Sequence, residues 1–144
     1  MIPPHFIELI KRFEGLRLKA YQRSAGVWTI GYGHTGSDVY EGMTISEQQA
    51  EQLLIQDIES RLNQLFRVSP ILLSCGENRI SAIGDFVFNL GIGAYRNSTL
   101  RKRVDAQDWE NASIEIRKWV FAGGKRLNGL VVRREVEAGL LLNG

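Results

Sequence analysis

The hydrophobic spacing of this chain changes once, near residue 44, and that change restricts the fold more than any other feature. Before it, Tyr21, Val27, Trp28, Ile30 and Tyr32 favour extended backbone, and Ser24-Ala25-Gly26 supplies a turn. After it, Ala50, Leu54, Ile58, Leu62 and Phe66 recur every fourth residue, with Leu53 and Leu65 beside them. The first pattern reads as a small antiparallel sheet, residues 17–22 and 27–35, with a third short strand near residues 39–43. The second reads as a long amphipathic helix. Either Thr44 with Glu47 or Ser46 with Gln49 can open it as a capping box, and Pro70 closes it.

A short helix precedes the sheet. Pro3 and Pro4 start it, Phe6, Ile10 and Phe13 recur at i, i+4 and i+7, and Gly15 stops it. Beyond Pro70 every periodic segment is helical. Ile80, Ile83, Val87 and Leu90 mark one helix, ended by Gly91 and Gly93. Ser98 caps a short helix through Val104, and Asp108 caps another with the stripe Ala112, Ile116 and Trp119. Gly123-Gly124 breaks that helix, and residues 130–142 form the last. The architecture is therefore α+β. It has a sheet lobe at about 14–43, a connecting helix at about 44–68, and a helical lobe at about 71–144 that takes in the first helix. Two such lobes leave a cleft, a common place for a ligand, and 144 residues can build this single domain without staples.

The composition removes several functions. Cys75 is the single cysteine and His5 and His34 are the two histidines, so a disulfide framework and a zinc site are both disfavoured. No apolar run approaches the roughly 20 residues of a membrane span, and no basic-then-apolar leader opens the chain. Residues 1–88 carry 8 Lys/Arg and 10 Asp/Glu, whereas residues 89–144 carry 10 and 6. The basic half suits an anionic partner, although a solvated helix surface explains such an imbalance equally well. Arg101, Lys102, Arg103, Lys125, Arg126, Arg133 and Arg134 are the cations in question. Trp109, Trp119 and Phe121 fall where apolar periodicity predicts core, and Cys75 reads as a partly buried thiol.

Two features point to chemistry. Glu14 closes the first helix, where aligned peptide dipoles disfavour a carboxylate anion. Apolar neighbours would add to that effect and fit it for general acid work; the alternative is an ordinary surface glutamate. In an extended 27–35 segment, Thr29, Gly31, Gly33 and Thr35 share one face, almost free of bulk. A sugar chain could lie on such a floor with the Thr29 hydroxyl exposed to it, or the glycines could mark a bulge or sheet corner.

Together these residues become specific. The run Glu14-Gly15-Leu16-Arg17-Leu18-Lys19-Ala20-Tyr21, followed by Ser24-Ala25-Gly26-Val27-Trp28-Thr29-Ile30-Gly31-Tyr32-Gly33-His34-Thr35, closely resembles the phage-type lysozymes, glycoside hydrolase family 24. The resemblance continues through residues 44–58, Phe88-Asn89-Leu90-Gly91 and the Arg133-Arg134 helix. It implies a lysozyme-like fold and cleavage of the β-1,4 bond between N-acetylmuramic acid and N-acetylglucosamine in bacterial peptidoglycan. It also implies that Glu14 is the proton donor, that Thr29 helps to hold the attacking water and that no cofactor is needed; Gly31 and Gly33, on the bare strand face, are the expected floor under the glycan. By the same resemblance His34 pairs with Asp57 on the long helix, a structural ion pair; the odd spacing from Thr29 already turns His34 to the opposite face.

The family pattern places a second acid at position 23, where this chain has Arg23. Glycoside hydrolysis uses two carboxylates, and a guanidinium that stays protonated can be neither base nor nucleophile. Near Glu14 it would favour the anion and oppose an oxocarbenium-like transition state. The sequence therefore implies an impaired muramidase, with a peptidoglycan-binding module lacking turnover as the alternative. Asp38 or Glu41 swinging into the cleft, or Thr29 orienting water unaided, would restore some activity. A nucleic-acid binder rests on charge alone, without a recognition motif. The expected state is a monomer held in the host cytoplasm until a holin opens the inner membrane, with peptidoglycan as partner and neither nucleic-acid binding nor membrane insertion.

Overall fold

Pro3 and Pro4 launch α1, Pro4–Glu14, because the fixed φ of proline suits the first turn and its missing N–H is not needed there. The computed structural model describes residues 2–23 and 25–144, and the chain divides into two units, Ile2–Ser60 and Arg61–Gly144. α1 falls in the first unit with the sheet, whereas its sequence suggested a place with the carboxy-terminal helices. Phe6, Leu9 and Ile10 bury one face of α1.

β1, Arg17–Gln22, runs antiparallel to β2, Trp28–Gly31, which pairs in turn with antiparallel β3, His34–Thr35. The single strand expected over residues 27–35 is thus a tight reversal. Gly31 and Gly33 hold φ of 66° and 80°, a region glycine enters without a Cβ penalty, and the chain folds back between them. The short strand expected at residues 39–43 does not form among the described residues. Turns at Gly36 and Tyr40 occupy that segment (Val39 N–H to Gly36 O, 3.2 Å; Met43 N–H to Tyr40 O, 3.1 Å), and a lone bridge joins Lys19 to Thr44. Of the expected Ser24-Ala25-Gly26 turn, Ser24 lies outside the described residues. Ala20, Ile30 and Val39 form the sheet's core, with Trp28, Met43, Ile45 and Leu53 packed on it.

α2, Glu47–Val68, opens with the reciprocal box of Ser46 and Gln49: Gln49 N–H donates to Ser46 Oγ at 3.1 Å and Ser46 N–H to Gln49 Oε1 at 2.8 Å. The division between the units falls within this helix. Ala50, Leu54, Ile58 and Leu62 are buried as their spacing predicts, but Leu65 replaces Phe66 at the end. A strict fourth-residue stripe drifts by about 40° per step on a helix of 3.6 residues per turn, so a three-residue step brings the stripe back.

The second unit is mainly helical, with a 3-10 turn at Pro70–Ser74 followed by α3 (Glu77–Leu90), α4 (Ile92–Arg96), α5 (Thr99–Asp105), α6 (Trp109–Ile116) and α7 (Asn128–Leu142). Ser98 Oγ accepts from Arg101 N–H at 3.0 Å and Asp108 Oδ1 from Asn111 N–H at 3.2 Å, capping α5 and α6. Gly123 and Gly124 do more than break a helix. With φ of 58° and 76° they form the turn of a hairpin between β4, Phe121–Ala122, and β5, Lys125–Arg126. Phe121 is consequently 62% exposed instead of in the core. Trp119 lies beyond α6 and meets the Phe86 ring edge-on at 5.4 Å, while the Arg79 guanidinium stacks 4.2 Å over Trp109. Cys75 is buried, and burial pushes its thiol pKa up.

Arg133 and Arg134, counted among the cations that could meet an anionic partner or solvent, face neither. Both are buried: Arg133 grips Asp85 through two bonds of 2.8 Å, and Arg134 grips both oxygens of Glu137 at 2.7 Å. Arg134 also donates to the Trp119 carbonyl at 2.9 Å and to Asn89. A buried charge without partners is too costly to keep, so these arginines are committed to the interior. Arg101 is engaged with Asp105 and the Val68 carbonyl. Lys102, Arg103, Lys125 and Arg126 remain exposed.

Candidate functional site

Glu14 is the last residue of α1, and Gly15, at φ 71°, ends the helix by returning its N–H to the Lys11 carbonyl at 3.0 Å. The Glu14 side chain is only 11% exposed. Lys11, one turn earlier, forms an ion pair with Glu51 on α2 and lies 5.5 Å from the Tyr32 ring centroid. The hydrogen bond to Glu51 outweighs desolvation and raises the Lys11 pKa. Helix, sheet turn and α2 therefore meet through Lys11, a link that sequence spacing alone did not reveal.

Arg23 follows β1, its backbone fixed by N–H donation to Val27 O at 2.9 Å and acceptance from Gly26 N–H at 2.8 Å. Its guanidinium Nη2 reaches Glu14 Oε1 at 3.4 Å, at the long end of hydrogen-bond range. The arginine head is 44% exposed, so solvent weakens this ion pair. Gly33 makes room for it. A Cβ at Gly33 would stand 2.7 Å from Glu14 Oε1 and 3.3 Å from Arg23 Nη2, so only a bare backbone fits beneath the two charged groups.

The other residues of the expected glycan floor are placed differently. Thr29 is fully buried and its hydroxyl donates to the Val27 carbonyl at 3.2 Å, so it is not exposed as the alternation of an unbroken strand implied. The space beside the Gly31 α-carbon is filled by Ala50 and Ile45, each 3.6 Å from where a Cβ would stand. The reversal at Gly31 and Gly33 ends the strand and with it the shared face.

His34 sits between two carboxylates. Its Nδ1 is 2.8 Å from Asp57 Oδ2, and its Nε2 is 3.0 Å from Asp38 Oδ2. A neutral imidazole carries one N–H and one lone pair, so it can satisfy only one of these oxygens; imidazolium satisfies both. Burial disfavours the charged ring, but the hydrogen bonds to Asp57 and then Asp38 outweigh it and raise the His34 pKa. The same bond lowers the Asp38 pKa. Asp38, a candidate to swing toward Glu14, is thus held by His34. The signal for this partner was the i, i+4 spacing across Gly36, where a Cβ would lie 2.7 Å from Asp38 Oδ1. Among the described residues no group of three His, Cys, Asp or Glu side chains is arranged to hold a metal ion, and no helix is long and apolar enough to cross a membrane.

Comparison with known proteins places these features in context. Residues 11–137 match the model of the family described as phage lysozyme. The endolysin of Acyrthosiphon pisum secondary endosymbiont phage 1 is 45% identical over 136 residues, 92% of this chain and 91% of that protein. The endolysin of Bacillus phage B103 is 41% identical over 140 residues, 96% of this chain but 52% of its own length, so the chain spans about half of that relative. Among solved structures, the muramidase domain of SpmX from Asticaccaulis excentricus aligns with a TM-score of 0.86 and 32% identity, covering 99% of this chain and 97% of that one.

Proposed function

This chain belongs to the phage lysozyme family, with a lysozyme-like α+β fold, and we propose that it acts on bacterial peptidoglycan as an endolysin whose hydrolysis is impaired. The bond at stake is the β-1,4 linkage between N-acetylmuramic acid and N-acetylglucosamine. Glu14 donates a proton to the glycosidic oxygen, Gly33 leaves room for that carboxyl, and the chemistry needs no metal or organic cofactor.

One observation carries the impairment: the Arg23 guanidinium stands 3.4 Å from the Glu14 carboxylate. A second carboxylate would activate water or attack the sugar, and arginine can do neither. Its fixed positive charge also opposes the oxocarbenium character of the transition state. With its hydroxyl donating to the Val27 carbonyl, Thr29 can hold a water only by accepting a hydrogen bond from it. Loss of a positioned base alone costs about 10²–10⁴-fold.

Release of reducing ends from purified peptidoglycan, measured for the native chain beside Arg23→Asp, tests this reading. The variant should be faster by about 10²–10⁴-fold. Equal rates would refute a limit at position 23, and rapid lysis by the native chain would refute the impairment itself.

The same ion pair favours a second reading, a peptidoglycan-binding module without turnover. Both readings expect the chain to pellet with peptidoglycan, while only the first expects new reducing ends from the native sequence. In the endolysin reading the chain is a monomer that stays in the host cytoplasm until the inner membrane is breached, which fractionation of expressing cells before and after membrane permeabilisation would check.

A further inference from the structure

The hairpin of β4 and β5 has no part in the reading above, and it has an unusual surface. Residues 121–129 are exposed without interruption. Phe121 is 62% and Leu127 43% exposed, and Val132 on the following helix is 47% exposed. Phe121 pairs across the ladder with Arg126 and Ala122 with Lys125, so the phenyl ring and a guanidinium leave the same face of the ribbon. Neither Lys125 nor Arg126 engages a carboxylate among the described residues, and no acidic residue occurs between Glu115 and Glu135. The flanking cations differ: Lys118 is paired with Glu115 and Arg117 with Glu135.

We propose that this hairpin is a peripheral docking surface for an anionic phospholipid bilayer. Exposed apolar side chains next to unpaired cations suit the boundary between headgroups and acyl chains, where the apolar groups sink and the cations stay at the phosphates. The Gly123-Gly124 turn gives the ribbon a narrow tip without bulky side chains that could hold it off the surface. A glycan is the poorer match. Residues 119–127 offer no Asn, Gln, Asp, Glu, Ser or Thr side chain to hydrogen-bond sugar hydroxyls. Nucleic acid would use the two cations but not the exposed Phe121 and Leu127. The contact is superficial, since no helix among the described residues could span the membrane.

Co-sedimentation of the full chain with phosphatidylcholine vesicles, with and without phosphatidylglycerol, tests the proposal. The native chain should bind the anionic vesicles and leave the zwitterionic ones. Each Lys or Arg at an anionic surface is worth roughly fivefold in partitioning, so Lys125→Gln with Arg126→Gln should weaken binding by about 25-fold. Phe121→Ser should weaken it with both cations intact, and the fluorescence of Phe121→Trp should shift to the blue on vesicle addition. These side chains are exposed, so unchanged thermal melting of each variant is expected and checks that the fold survives. Failure of the native chain to bind anionic vesicles overturns the proposal. So does binding that Phe121→Ser leaves untouched, because the attachment is then charge alone. Loss of peptidoglycan pelleting in the hairpin variants, with vesicle binding unaltered, would assign the hairpin to the wall instead.

Discussion

Both units carry ion pairs at their surface, but among the described residues only the second also buries a cluster of ionisable side chains. In Ile2–Ser60 the ion pairs lie partly in solvent: Arg23 is 44% and Asp38 57% exposed, each facing a more buried partner. In Arg61–Gly144 four ionisable residues, Asp85, Arg133, Arg134 and Glu137, are buried together, and burial, then the neighbouring Asp85, raises the Glu137 pKa well above the usual carboxyl value. Water screens the first set, so its charges remain adjustable and suit a site where a ligand must compete for them. The second set has little solvent to fall back on. Its members must satisfy one another, and that obligation makes them a structural core rather than a surface.

Removing one member from each set is the direct way to break this contrast. Arg134→Ala leaves Glu137 buried without its guanidinium and should destabilise the protein by about 3–5 kcal/mol, read from urea unfolding. A loss below about 1 kcal/mol, ordinary for surface pairs, would erase the distinction between the units.

The next effect is in pH dependence, and here the units respond at opposite ends of the scale. His34 has a raised pKa, so its contribution is fully present below about 6.5 and is lost as pH rises through the folded value. Burial alone would push Asp85 up, but the hydrogen bond it accepts from the Glu137 carboxyl and those from Arg133 outweigh it and hold its pKa down. The Asp85 contribution is therefore present above about 3.9 and is lost as pH falls through the folded value. Amide hydrogen exchange followed across pH should show sheet protection weakening on the alkaline side and α3–α7 protection weakening on the acid side. His34→Gln should flatten the alkaline arm only; an unaltered arm would detach His34 from it.

The smallest effect sharpens the contrast within the sheet unit. Asp38→Asn should cost less than about 1 kcal/mol, because its carboxylate is exposed, and less than Asp57→Asn. Urea titrations of the two variants at pH 6 provide the comparison, and equal losses would mean that the two carboxylates hold His34 alike.

Several of these features were legible from neighbouring residues alone. The start of α1 at its prolines, its stop at Gly15, the bounds of β1 and the caps at Ser98 and Asp108 all depend on groups within four residues of one another. Glu14, Arg23 and Gly33 were visible as a set through their place in a family pattern. What escaped was reversal and burial. Gly31 to Gly33 read as continuing a strand because alternation does not register a positive φ, and Gly123-Gly124 read as a helix end although its flanks pair as a hairpin. Arg133 and Arg134 read as surface cations because charge is visible in a sequence and burial is not.

Hydrophobic period, caps and glycine stops determined the α+β order of elements, since each acts over one or two turns of backbone. The tertiary structure decided which charges meet. Arg133 and Asp85 are 48 residues apart, and Arg23, just past β1, meets Glu14 at the end of α1 within one unit. Whether a side chain becomes a buried partner or a solvated one depends on dielectric and on what else reaches it, and both exist only once the chain has closed around it.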